Sequence, residues 1–474
     1  MDQMSALDSA FLHAETAEAS LHIASVAIFE GPEPDFGEIC AAIEAKLSEL
    51  PRFRQRWRHV PLDLGRPVWV DDDRFNLREH VLRTVVPAPG GHKELHQTVD
   101  SVMSQHLDLD APPWEGWVLS GLEDGRWAMV TKVHHSMVDG IAGTDVLSTL
   151  LDHSAEVRPH LDEEPWVPVP EPSGLQLVLA TMRGSVRERV REGRGLVRLA
   201  TRMATQPKAL ASRSLGLGRG LFGFAMAVRP TSASPLIGPI GTNRLYRWTS
   251  VPLVDVLAIR EHFGVTVNDA VLAGLSNGVR ALLLQRGTNL DHHLVRTLVP
   301  VSVRHADQRG LFDNRVSAVL LDLPVEIGDA RDRLIETSVR MRKLKSSHEA
   351  GAGELITELG DATPPALLAA GLHLFFRIPH RHLSTVTTNV PGPAGRLFLL
   401  GRRMLSAYPY VPIADRVRVA IAVTSYDGQL LVGVTADRDS VPDVSVIIEG
   451  VDQGFAELLD ATGPGTRVAD KVPS

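Results

Sequence analysis

Apolar and polar positions along this chain change period several times. LHIASVAIFE, RPVWV and WAMVTKV read as strands, short and rich in β-branched or aromatic residues. FGEICAAIEAKLSEL and HKELHQTVDSVMSQHL instead repeat their apolar residues at helical spacing. Further on, VPLVDVLAIREHFG and VNDAVLAGLSNGVRALLLQRG predict helices, and LVRTLVPVSVR and SAVLLDLPVE predict strands. A helical region over 331–377 follows, then strand-like STVTTNV, RVRVAIAVTSYDG and QLLVGVTAD, and a last helix in VSVIIEGVDQGFAELLDA. Within RVRVAIAVTSYDGQLLVGVTAD, the Asp427-Gly428 pair between two alternating runs predicts a tight hairpin.

This alternation predicts an α/β fold, and 474 residues are too many for one ordinary core. The predicted division is an N-terminal unit over 1–170, a linker over 171–234 and a C-terminal unit over 235–474. EEPWVPVPEP, rich in proline and acid, marks the first boundary. Residues 171–230 carry eleven Lys/Arg against three acidic residues, although the whole chain has a net charge of −8. That segment predicts a basic helical crossover, solvated and able to touch anionic lipid.

The overall negative charge argues against nucleic acid as a partner. A single cysteine, Cys40, forbids an intrachain disulfide and falls within a helical pattern, which predicts a buried structural thiol. No apolar run reaches the length of a spanning helix; PALLAAGLHLFFRIP (365–379) is short and carries His373 and Arg377. These features predict a cytoplasmic protein whose membrane contact is peripheral.

Chemistry concentrates in KVHHSMVDGIAG, starting at Lys132. Neighbouring side chains of a strand point to opposite faces, so His134 and His135 share a cavity only if the strand breaks between them. One can act while the other braces it. Asp139 and Gly140 would hold the loop that leads into a helix. The residues alone leave acid–base catalysis, a structural strand end and a metal site open; the last lacks a clear third ligand. Asn268 and Asp269 begin a helix, where Asn268 could cap it and Asp269 complement its dipole.

HHSMVDG also fits HHxxxDG, a motif of acyltransferases with the chloramphenicol acetyltransferase-like fold. With LDSAFLHAET, FRQRW, RPVWVDDDRFNLREHV, VNDAVLAGLSNGVRALL, LVPVSVR, NVPGPAG and SYDGQLLVGVTADRDSVPD in order, nearly the whole chain resembles the bacterial wax ester synthase/acyl-CoA:diacylglycerol acyltransferase family. It departs from that family's pattern at Ala111–Trp114 (APPW) and Asp313-Asn314.

The resemblance implies two chloramphenicol acetyltransferase-like domains with mixed sheets, joined by the crossover. It implies acyl transfer from acyl-CoA, a co-substrate, to diacylglycerol or a long-chain alcohol, with no cofactor and no metal. His135 would be the general base, supported by His134, Asp139 and Gly140, and Asn268 would stand near the oxyanion. Asp269, Ser302, Arg304, Asn389, Pro391 and Gly392 would line the substrate cleft. Helices over 268–284 and 366–378 are expected to wall an acyl groove. A membrane or lipid-body surface is the expected setting. Two other functions fit the residues: acyl transfer to a thiol, amine or carrier-bound polyketide, and lipid binding without catalysis.

Overall fold

A computed structural model describes residues 2–4, 6–61, 66–137, 143–157, 166–179, 234–302, 316–349 and 383–463. Most of the predicted crossover, part of the loop after the histidine pair, and the helix expected at 366–378 lie outside these residues.

In the first half, β1 (Asp2–Gln3) is followed by α1 (Ala6–Ala14), β2 (His22–Phe29) and α2 (Phe36–Lys46). Next come β3 (Gln55–Arg58), β4 (Val68–Asp71), α3 (Leu77–His80), β5 (Val81–Val85) and α4 (His92–Met103). Strands β6 (Trp114–Ser120) and β7 (Trp127–His134) precede α5 (Gly143–Leu150). In the second half, β8 (Arg244–Pro252), α6 (Leu253–Phe263) and α7 (Val267–Gln285) lead to β9 (Val295–Ser302), β10 (Val316–Leu323) and α8 (Ala330–Glu349). The chain ends in β11 (Thr385–Val390), β12 (Phe398–Leu399), β13 (Arg402–Tyr410), β14 (Val419–Tyr426), β15 (Gln429–Asp437) and α9 (Ser445–Asp460).

Two six-stranded mixed sheets dominate, as the α/β alternation predicts. The first runs β12-β13-β2-β7-β6-β5 and the second β10-β9-β11-β14-β15-β8; a small sheet runs β1-β4-β3. In the first, β5 and β6 are parallel and the remaining neighbours antiparallel. In the second, β11 runs parallel to both β9 and β14.

Strands β12 and β13 come from the second half of the chain yet join the first sheet, with Ala407 opposite Ala27. The chain thus passes back between the units after β11, an exchange that contiguous boundaries do not describe. β8 makes a second tie. The backbone N–H of Tyr246 and the guanidinium of Arg247 both donate to Asp100 on α4, at 2.7 and 2.9 Å. Tyr246, Trp248 and Tyr410 then enter one core with Val99, Met103 and Val130. β5, β6, β8 and β13 were not expected as strands; Arg and Pro interrupt the alternation in RLYRWTSVP and RRMLSAYPY, and strand pairing outweighs that pattern.

β7 sits at the centre of the first sheet and every residue of it is buried. Trp127, Met129 and Val133 meet the core that includes Ile39 and Ile43 of α2 and Val146, Leu147 and Leu150 of α5. Ala128 and Val130 meet the core that includes Leu95 and Val99 of α4. Covering on both faces explains why β7 before His134 is apolar but for Thr131 and Lys132, whose ammonium donates to the Gln105 carbonyl and to Glu115. The β14–β15 hairpin turns at Asp427 and Gly428, both at positive φ (42° and 78°), the geometry of a two-residue hairpin.

The wall expected of 268–284 is largely spent elsewhere. α7 is buried along most of its length, packed on α9 so closely that a Cβ on Gly278 would stand 2.5 Å from the Ile447 carbonyl.

Candidate active site

The strand breaks where the side chains require it. β7 ends at His134, and His135 opens a single 3₁₀ turn through Met137. Two carbonyls fix the break: Pro113 accepts from the His134 N–H at 2.9 Å, and Leu21 accepts from the His135 N–H at 3.0 Å. Pro113 belongs to APPW, the run that departs from the family pattern. Its Trp114 is buried, donates to the Phe53 carbonyl at 2.7 Å and stacks on His80.

His134 is a brace. Its Nδ1 accepts from the backbone N–H of Ser136 at 3.2 Å, with the Ser136 hydroxyl 2.6 Å away. The proton therefore sits on Nε2, which donates to Oε2 of Glu15 at 2.6 Å. The other oxygen of Glu15 is 3.7 Å from Nδ1 of His106.

His135 is differently placed. Its ring lies 4.0 Å from that of Phe11, centroid to centroid, and its Nδ1 is enclosed without a hydrogen-bond partner among the described residues. Burial pushes its pKa down to about 4, against the pull of its own backbone carbonyl. At neutral pH the imidazole is uncharged and able to accept a proton.

Phe11 and Glu15 were missed in the sequence, though LDSAFLHAET carries the signal. Four positions separate them, one helical turn, so both reach the histidine pair from α1 and its end. Ser136 was missed too. Trp57 on β3 stands 5.5 Å from the His134 ring and closes this end of the pair. Asp139 and Gly140 lie outside the described residues.

In the second half, Asn389 on β11 donates from Nδ2 to Oδ1 of Asn268 at 3.1 Å, so the structure brings these two predicted residues together. The cap of α7 is Thr266, which corrects the expectation that Asn268 caps it. The Thr266 hydroxyl accepts from the Asp269 N–H at 3.2 Å, and the Thr266 N–H donates back to the Asp269 carboxylate at 3.0 Å. Asp269 is buried and also accepts from Ser338. Its carboxylate is engaged in structure.

Gly392 passes so near β14 that a Cβ would fall 1.7 Å from the Ser425 carbonyl, and Pro391 before it is exposed. Ser302 ends β9, its side chain outside the described residues, as is all of Arg304. Among the described residues no group of three or more His, Cys, Asp or Glu is arranged to hold a metal ion. Among them, too, no helix is long and apolar enough to cross a membrane.

The wax ester synthase/diacylglycerol acyltransferase catalytic domain matches residues 4–271, and the C-terminal domain of the same proteins matches 312–459. The chain belongs to this family. A probable diacylglycerol O-acyltransferase of Mycobacterium tuberculosis is 36% identical over 97% of this family member and 96% of its own length. A second M. tuberculosis protein named as a diacylglycerol O-acyltransferase is 32% identical over 98% of this chain and 91% of its own. The fold is also that of the wax ester synthase/diacylglycerol acyltransferase from Marinobacter aquaeolei, with a TM-score of 0.70, 24% identity, and coverage of 98% and 100%. The starter condensation domain of rhizomide synthetase shares it at a TM-score of 0.55, 15% identity, and coverage of 98% and 95%. This family member is therefore an acyltransferase enzyme with the two-sheet, chloramphenicol acetyltransferase-like architecture.

Proposed function

We propose that this acyltransferase moves a long-chain acyl group from acyl-CoA to the hydroxyl of diacylglycerol or of a fatty alcohol, giving triacylglycerol or a wax ester. The observation that carries the reading is the uncharged His135, set at the end of the central strand beside a His134 whose tautomer is fixed.

With Nδ1 enclosed, Nε2 is the nitrogen to meet the acceptor. It takes the hydroxyl proton as the alkoxide oxygen bonds to the thioester carbon. The tetrahedral intermediate then collapses, the C–S bond breaks, and the proton passes from His135 to the departing thiolate to give CoA. No acyl-enzyme is needed. Cys40 is a poor alternative nucleophile, since it is buried on α2 and burial raises its pKa. With the Asn268 oxygen engaged by Asn389, its amide N–H groups are the part free to donate to the oxyanion. Both acceptors are lipids, so the enzyme works at a membrane or lipid-body surface, and the positive 171–230 segment suits an anionic one.

The test follows CoA thiol release from palmitoyl-CoA with dipalmitoylglycerol or hexadecanol, for the wild type and His135→Ala. Acceptor-dependent release, lost in the variant while folding and lipid binding persist, is expected. Release that survives in the variant would remove His135 as the base. No release from folded wild type with either alcohol would leave the thiol, amine, carrier-bound or non-catalytic roles.

A further inference from the structure

A second polar site lies beside the histidine pair and is not used in the mechanism above. Along the free edge of β3 runs a cleft of about 480 Å³, lined by Leu12, Arg56, Trp57, Arg58, Asp110 and Leu177, among others. At one end Trp57 lies 5.5 Å from the His134 ring, and Leu12 follows Phe11, whose ring is tilted against that of His135. Further along, Arg56 and Arg58 grip one carboxylate, that of Glu171. Nη2 of Arg56 donates to one oxygen at 2.7 Å, and Nε of Arg58 forms an ion pair with the other at 2.9 Å.

Resting on the acyl-CoA reading, we infer that this arginine pair is the subsite for a phosphate group of the donor, and that Glu171 fills it while the donor is absent. Two guanidinium groups converging on two oxygens are a fork that a phosphate fits as well as a carboxylate. Of the substrates proposed, only acyl-CoA is charged; diacylglycerol and fatty alcohols have no use for paired arginines. Asp72 stands 3.6 Å from Arg56 and 3.9 Å from Arg74, and Glu171 supplies the second negative charge. A phosphate enters by exchange with Glu171.

That exchange is open to solvent: the Arg58 side chain is 48% exposed and Glu171 31%. It does not require the chain around Glu171 to unpack, because Leu177 is anchored independently on Val60, Val68 and Val70. Asp110, also on the cleft, repels an anion and so biases the phosphate toward the arginines.

The test compares decanoyl-CoA with decanoyl-N-acetylcysteamine, the same thioester without phosphates, in wild type, Arg58→Gln and Glu171→Gln. Arg58→Gln is expected to raise KM for decanoyl-CoA about tenfold, the loss of one charge-assisted hydrogen bond, and to leave KM for the truncated donor unchanged. Glu171→Gln is expected to lower KM for decanoyl-CoA alone. Equal effects on both donors, or none, would overturn the inference. Calorimetric titration with free CoA reads the subsite without turnover: weaker binding in Arg58→Gln supports it and unchanged binding refutes it. Wild type that turns over neither donor yet binds CoA in this arginine-dependent way would sink the acyl-transfer reading and keep the subsite.

Discussion

Nε2 of His134 donates a hydrogen bond to Glu15 across 2.6 Å, and Glu15 lies one turn beyond Phe11, whose ring is tilted against that of His135. A single helix therefore orients both histidines. Glu15→Gln keeps an acceptor for His134, whereas Glu15→Leu leaves a buried N–H without one, a penalty of about 1–3 kcal/mol. We expect Glu15→Gln to retain most activity, and Glu15→Leu to lose roughly 10–100-fold in kcat/KM through a His135 no longer held in place. Steady-state kinetics beside thermal melts would decide it. Equal losses in both variants would mean that the charge, not the acceptor, matters.

The enclosure of His135 has a pH signature. An imidazole at its ordinary value titrates near 6.5, whereas that of His135 is about 4. As general base it is active when unprotonated, so kcat/KM should stay level from pH 8 down to about 5 and fall below that. A profile of kcat/KM with a limb near 6.5 would show an open, solvated ring. Stability should change in the same direction. His22, His80, His96 and His293 are also lowered by burial, so the unfolded chain binds more protons than the folded one below about pH 6.5. The melting temperature should therefore drop as pH falls from 7 toward 5. Asp100 and Asp452, raised by burial, act the opposite way, but they are outnumbered. A melting temperature that climbs on acidification would contradict this.

How much of this was legible follows from which interactions are local. The run into His134-His135 is mostly apolar because both faces of β7 are covered, so strand, break and motif could be read together. The Asp427-Gly428 turn is written in two residues. Strand β13 pairs with β2, more than 370 positions away, and no local period records that. Glu15 likewise becomes a site residue only when α1 is folded over the 3₁₀ turn at His135. Asp269 was assigned to substrate on resemblance, while its neighbour Thr266, three positions back, carried the capping-box signal.

That box offers a separation of roles. Thr266→Ala removes the hydroxyl that caps α7 and should cost about 1 kcal/mol of stability. If Asp269 serves the same cap, Asp269→Asn should also lower the melting temperature, and the double variant should lose less than the two losses combined. Activity per folded molecule should stay close to wild type in all three. A fall in kcat/KM confined to Asp269→Asn, at unchanged melting temperature, would return that residue to the substrate cleft.

Asn268, next to Asp269, is the reverse case. It lies in the first turn of α7, is half-buried, and makes its polar contact with Asn389 rather than with the cap. A donor aimed at an oxyanion contributes only as charge develops, so its removal should lower kcat and leave KM nearly unaltered. Asn268→Ala is expected to cost about 10²–10³-fold in kcat, the usual range for an oxyanion donor. Asn268→Asp presents a carboxylate to a negative intermediate and should be at least as damaging, although it is closer in shape. Asn389→Ala frees the Asn268 oxygen and lets the amide turn, so a smaller loss of kcat is expected. Single-turnover rates would separate this from slower product release. If Asn268→Ala changed KM and spared the chemical step, the amide would be binding the acceptor in its ground state, and the oxyanion would have to be held by another donor.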